Sequence, residues 1–153
     1  MAYLKRAIQF FLLACVLGGI WISFHRVLTG QNDSSEIEKI ILDSKESNRI
    51  DLTQFKPGEW DEFVIWYPYS DIRDFKIDGI YLLFESSNIN ADDGHNILLF
   101  IKNNQIKGHA VFNRKKVDFA TFDLGTQRIV RNKAVFKFNS LVDFSKVQFL
   151  EKK

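Results

Sequence analysis

The sequence predicts an α+β protein: one N-terminal transmembrane helix, then a short helix and a curved, mainly antiparallel β-sheet. Three observations carry this expectation. Ala7 to Phe24 runs for eighteen residues without a charge. Ile37, Ile40 and Ile41 then recur at helical spacing. Beyond residue 48 the apolar period falls to two, with turn residues between the runs. The chain divides accordingly into residues 1–30, an anchor and its flanks, 31–34, a polar linker, and 35–153, a single α+β domain.

Eighteen helical residues span about 27 Å, close to the roughly 30 Å of a bilayer's hydrocarbon core. A cleaved signal would have a shorter apolar run and small residues before the cut, whereas Leu28 stands in the best local candidate, Leu28-Thr29-Gly30. Leu12-Leu13-Ala14-Cys15 approximates a bacterial lipobox, which would lipidate Cys15. The apolar run continues for nine residues past Cys15, so this lone cysteine reads better as a small apolar member of a membrane helix. An uncleaved signal anchor from Ala7 to Phe24 fits both length and flanks, with Tyr3 and Trp21 near the interfaces. Lys5, Arg6 and the amino terminus outweigh Arg26, which biases the N-terminus to the cytoplasm and the domain outside, periplasmic or extracellular.

Within the domain, Ser35 and Glu38 have capping-box spacing and open a helix over about 35–47. Strands are expected at Arg49–Thr53, Glu62–Tyr67, Gly79–Glu85, Asn96–Lys102, Ile106–Asn113, Val117–Phe122, Gln127–Val130, Ala134–Asn139 and Val147–Leu150. Turns punctuate them at Lys56-Pro57-Gly58, Asp92-Asp93-Gly94 and Lys102-Asn103-Asn104-Gln105, and Ser70–Phe75 suits one helical turn. Ile80–Phe84 and Ile97–Ile101 are continuously apolar, as in strands covered on both faces. Ala134, Phe136 and Phe138 alternate with Val135, Lys137 and Asn139, as in a strand with one wet face. Fifteen Phe against one Met and two Pro predict an aromatic core.

The formal charge of +2 belongs to the anchor flanks, because residues 31–153 hold eighteen basic side chains against nineteen acidic. That balance argues against nucleic acid as a partner. The two halves differ: residues 33–93 net −9 and residues 94–153 net +8. Arg114, Lys115, Lys116, Arg128, Arg131, Lys133 and Lys137 would make a basic face for anionic lipid, a polyanionic polymer or an acidic protein, unless the halves interleave and their charges pair across strands.

No P-loop, G-x-S-x-G or dinucleotide fingerprint occurs, and His95 and His109 lack metal-ligand spacing. The domain has no cysteine, hence no thiol nucleophile and no cysteine metal site. Neither a metal nor a small-molecule cofactor is expected. Asn90, Asp92 and Asn96 resemble a calcium loop only faintly, since the Gly falls one place early and Ile101 holds the closing Glu position. Asp61, Asp71 and Asp74 supply carboxylates beside aromatics, as sites acting on envelope glycan or phosphate do, and define the enzyme alternative.

The stretch from Gly58 to Asp71 holds Trp60, Trp66, Tyr67 and Tyr69 around one strand that ends at Pro68. Alternation puts Phe63, Ile65 and Tyr67 on one face and Val64 and Trp66 on the other. Trp60, Asp61, Trp66, Tyr67 and Tyr69 form a candidate partner-binding patch, while core filling competes, most strongly for Trp60 and Phe63. The W-D-x-x-x-I-x-x-P-Y pattern of Trp60, Asp61, Ile65, Pro68 and Tyr69 is followed by Asn96–Lys102 and Phe112-Asn113-Arg114. Over residues 50–116 it resembles small membrane-anchored or lipoprotein-like bacterial envelope proteins, to which no activity is assigned. The resemblance implies an envelope address. Trp66 and Tyr67 before Pro68, and the apolar run through Cys15, depart from that pattern, and the second departure weakens any transfer of lipid anchoring.

Two partners are therefore expected: membrane lipid through the anchor, and a protein held by the domain, such as a toxin or envelope enzyme that an immunity-type protein blocks. A structural subunit acting through its anchor is the remaining alternative.

Overall fold

A computed structural model describes residues 2–67, 70–80, 83, 94–119, 128–138 and 147–149. Helix α1 (Ala2–Thr29) opens the chain. Its segment Arg6–His25 is long and apolar enough to cross a membrane, and none of it is buried against the domain. One such N-terminal helix is compatible with a single-pass anchor or a signal peptide.

Gly30 alone separates α1 from β1 (Gln31–Asn32), and α2 (Ser34–Asp43) follows at once. Residues 31–34 are thus no free linker. The helix starts one residue earlier than expected, with Asp33 at the N-cap position, and the Ser34 amide donates to Asn32 Oδ1 at 3.1 Å. It also stops sooner. Ser44 Oγ donates to the Ile40 carbonyl at 2.6 Å, and the chain turns through Asn48 at φ +53°. Ile37 and Ile41 are the buried stripe, because they face the sheet together.

Two sheets form where one was expected. The larger has the order β1-β5-β4-β3-β6, with β3 at Glu62–Trp66, β4 at His95–Lys102, β5 at Gln105–Asn113 and β6 at Ile129–Val130. The smaller joins β2 (Ile50–Asp51), β7 (Val135–Phe138) and β8 (Val147–Phe149). Among the described strands all pairings are antiparallel except β1 with β5, and an isolated parallel bridge joins Asp78 to Gln105. The β4–β5 hairpin turns on Asn103 and Asn104 at φ +52° and +63°. Two left-handed residues match the twist of the flanking strands, and Asn tolerates that region better than other non-glycine residues. Asp92 and Asp93 of another expected turn lie outside the described residues.

The apolar side chains of Ile97–Ile101 are all buried, as their continuous run predicts. Leu98 and Phe100 face a core shared with Phe63, Ile65, α2 and the smaller sheet, whereas Ile97, Leu99 and Ile101 face Val64, Trp66, Phe75, Ile77, Ile80 and Leu83. The expected strand at Gly79–Glu85 is not one where it is described. Ile80 and Leu83 are helical, and the Leu83 amide donates to the Gly79 carbonyl at 3.2 Å. A short apolar run suits a buried helix as well as a buried strand, and here the i, i+3 pair is what packs. Ile72–Phe75 makes the expected helical turn. Of Val117–Phe122, residues 117–119 are described and carry only an isolated bridge at Asp118. Val135, expected on a wet face, is buried beside Ala134 and Phe136 because the smaller sheet is covered there on both sides.

The junction of α1 with the rest of the chain is tightly built. The Asp33 amide donates to the His109 carbonyl at 2.7 Å, and the Val111 amide donates to Ser34 Oγ at 2.9 Å. A Cβ on Gly30, at φ +72°, would stand 2.6 Å from the Lys107 carbonyl carbon, and one on Gly108 would overlap the Asp33 carboxylate. That carboxylate is buried and takes a hydrogen bond from Lys56 Nζ at 2.6 Å. Burial pushes the Asp33 carboxyl above the usual carboxylate range, and Lys56 offsets only part of that. Burial alone would lower Lys56, but the hydrogen bond and charge of Asp33, with Glu36 and Glu59, hold it above the ordinary lysine value.

Gly108→Ala should cost about 2 kcal/mol, since overpacking against a fixed carboxylate forces backbone movement. Chemical denaturation of the detergent-solubilised chain measures it. Lys56→Met should destabilise by about 3 kcal/mol at neutral pH by leaving Asp33 buried without a counter-charge. Because the folded Asp33 value is raised, protonation favours the folded state, and acidification towards that value should shrink the Lys56→Met deficit. The raised Lys56 value contributes stability below the ordinary lysine pKa that is lost as pH rises through the folded value, a loss the Met variant should lack.

Candidate functional site

The residues expected at a recognition patch separate into core and surface. Trp60 and Trp66 are buried, at 1% and 4% exposure, on opposite faces of the large sheet. The Trp60 indole donates to the Phe55 carbonyl at 2.8 Å and packs on Phe63 and Phe100, while Trp66 packs on Phe75. Neither ring is at the surface, so neither can meet a partner without unfolding its core. Tyr67 is half-buried against the first core, on the same face as Phe63 and Ile65. Pro68 and Tyr69 lie outside the described residues. Of the four that are described, Asp61 alone is exposed.

Asp61 lines an open depression of about 560 Å³ with Thr53, Gln54, Val130, Arg131 and Asn132. Backbone pairing builds it. The Asp61 amide donates to the Ile101 carbonyl at 2.9 Å, and the Arg131 amide donates to the Asp61 carbonyl at 2.8 Å. Arg131 is locked from below: its Nε donates to the Thr53 carbonyl at 2.8 Å, its Nη2 to the Phe55 carbonyl at 3.3 Å, and its guanidinium lies 5.0 Å from the Trp60 ring centre. The Trp60-Asp61 pair thus works in two layers. The indole supports the arginine, whose backbone amide donates to the Asp61 carbonyl.

The rim is equally ordered. Thr53 donates to Asp51 Oδ1 from its amide at 3.0 Å and from its hydroxyl at 2.6 Å. Burial would raise the Asp51 carboxyl, but the two Thr53 hydrogen bonds and Arg49 hold it below the usual range. The Asp61 carboxylate has no hydrogen bond or ion pair among the described residues. Asp71 and Asp74 do not line the depression; they share a turn in which the Asp74 amide donates to the Asp71 carbonyl at 3.1 Å. The depression thus offers one carboxylate, one guanidinium already committed to backbone carbonyls, one hydroxyl and two side-chain amides, a set suited to binding a hydrogen-bonding group or a cation at Asp61. Among the described residues, no three His, Cys, Asp or Glu side chains cluster as metal ligands would.

The seven basic residues do not share a face. Arg131 is level with Lys102 and Arg114 with Gly94, eight residues apart along β4, or about 26 Å. Arg114 pairs with Asp118 at 3.1 Å, Lys116 with Glu38 at 3.1 Å and Arg128 with Glu62 at 3.3 Å. Arg128 also donates to the Phe75 and Lys76 carbonyls and to Asn104 Oδ1. Lys115 and Lys133 are exposed, and Lys137 is half-buried on β7. Opposite charges from the two halves of the chain meet because their strands interleave. Ala7, Cys15 and Phe24 are all exposed along α1.

Sequence reasoning placed Asp61 and Arg131 in different groups and missed Gln54 and Asn132. Only the β3–β6 pairing, across some seventy residues of chain, brings them together. In comparisons with known proteins, no family model, curated protein or solved structure matches this chain.

Arg131→Met should lower stability by about 2 kcal/mol, because it removes the donor to the Thr53 carbonyl, one of two donors to the Phe55 carbonyl and the cation over Trp60. Asp61→Asn should change it by less than about 0.5 kcal/mol, as an exposed group without an internal partner. Thermal melts of the two variants against the parent chain separate support from surface.

Proposed function

We propose that this chain is a single-pass protein of a bacterial inner (cytoplasmic) membrane, with its N-terminus cytoplasmic and its domain periplasmic or extracellular, and that the domain binds a protein partner as an inhibitor or immunity-type protein. Asp61 carries the proposal. It is an exposed carboxylate without an internal partner, set in an open depression beside an arginine that its own structure immobilises. Arg131, immobilised before contact, loses little freedom on binding, and charge complementarity with the exposed Asp61 carboxylate then selects the partner. The α1 apolar span supports the membrane assignment, and Lys5 and Arg6 before it support the orientation. The partner group that fits Asp61, Gln54 and Asn132 is a basic or hydrogen-bonding side chain.

A photo-cross-linking residue at Gln54, used in native membranes, should capture one protein in stoichiometric yield. Asp61→Lys should cut that yield by about tenfold or more, as reversing one member of a close charge pair does, while the melting temperature stays put. Capture that ignores Asp61→Lys would remove the depression from the interface.

A further inference from the structure

The pairing of β1 with β5 sets which end of the domain faces the membrane. Because the two strands are parallel, with Gln31 opposite Gly108 and Asn32 opposite His109, the chain enters the sheet from the end where β5 begins, which is the β4–β5 hairpin. Gly30 lies against Lys107, three residues or about 10 Å along β5 from the Asn103-Asn104 turn, so α1 ends in the hairpin half of the sheet. The apolar span of α1 is wholly exposed, which means the helix extends off the domain instead of folding back along it. Its apolar run closes at His25, and the four helical residues from there to Thr29 rise about 6 Å. A headgroup layer is about 5–7 Å deep on each side of the hydrocarbon core.

Those lengths leave no gap between bilayer and domain. The tether cannot swing freely either, since Gly30 and Gly108 leave no room for slack and Asp33 is held by Lys56 and by the His109 carbonyl. We infer that the domain stands with its β4–β5 hairpin in the phospholipid headgroup layer. This rests on the membrane assignment proposed above, though not on the protein partner. The hairpin presents suitable chemistry: exposed Asn103, Gln105 and Lys107 and half-buried Lys102, all hydrogen-bond donors for phosphodiester oxygens. Exposed Glu59, Asp61 and Asp78 stand at the same end, with Arg131 level with Lys102, so the contact is made by hydrogen bonds and scattered cations and not by a polybasic patch, and the Asp61 depression lies towards the membrane end of the domain. Arg114, Lys115 and Lys116 lie at the far end of β5 and point to the opposite pole.

The test uses the full chain with Cys15→Ser and a fluorophore on Gln105→Cys or, separately, on Lys115→Cys, reconstituted in phosphatidylglycerol–phosphatidylcholine vesicles with nitroxide on the lipid headgroups. Lys107→Cys gives a second reading at the hairpin end should Gln105→Cys fold poorly. Quenching at positions 105 and 107 should exceed that at 115 several-fold. Equal quenching, or stronger quenching at 115, in protein that floats with the vesicles overturns the orientation alone. Protein that fails to float overturns the membrane assignment and this inference with it.

Discussion

Burying both faces of β4 obliges the domain to supply two covers, and most of its architecture follows from that demand. Five large apolar side chains from Ile97 to Ile101 leave water together. At about 2 kcal/mol each they contribute roughly 10 kcal/mol, as much as the whole net stability of a typical domain. One cover is α2 with the smaller sheet, meeting the large sheet through Phe63, Phe119 and Phe136. The other comes from the chain between β3 and β4, through Phe75, Ile77, Ile80 and Leu83. Neither Trp60 nor Trp66 is spare in this arrangement, which is why an aromatic-rich stretch makes so little aromatic surface.

The same economy shapes the surface. Cations concentrated in the second half of the chain meet anions of the first half at several contacts, Arg128 with Glu62 beside the β3–β6 pairing and Lys116 with Glu38 on α2. What escapes this pairing is therefore informative. Asp61 is such a group, and it stands at the edge where the polar rim meets the aromatic core through Arg131 and Trp60. A rigid floor under an unpaired charge is the combination from which a selective contact can be made.

The junction adds a constraint of a different kind. A polar tetrapeptide after an anchor is usually flexible, yet Gln31–Ser34 is divided between an edge strand and the first turn of a helix. Two glycines permit the close approach, and the buried Asp33–Lys56 pair fixes its register. Lys56 lies twenty-three residues from Asp33, so neither residue announces the pair in the sequence.

Periodicity and turn chemistry were enough to locate β3, β4, β5, the Asn103-Asn104 turn, the two faces of Phe63–Trp66 and the apolar N-terminal helix, because each depends on residues close in the chain. Local pattern was ambiguous at Ile80–Leu83, where a short apolar run suits helix and strand alike, and at Asp33, whose capping side chain was drawn off by a lysine. The split into two sheets, the burial of Trp66 and Val135, and the meeting of Asp61 with Gln54, Arg131 and Asn132 were beyond any local pattern. The sequence by itself determined which segments are apolar, which are extended and where the chain must turn. Only the tertiary structure decided which faces were covered and which charges were left over, because burial and pairing depend on partners that lie tens of residues away.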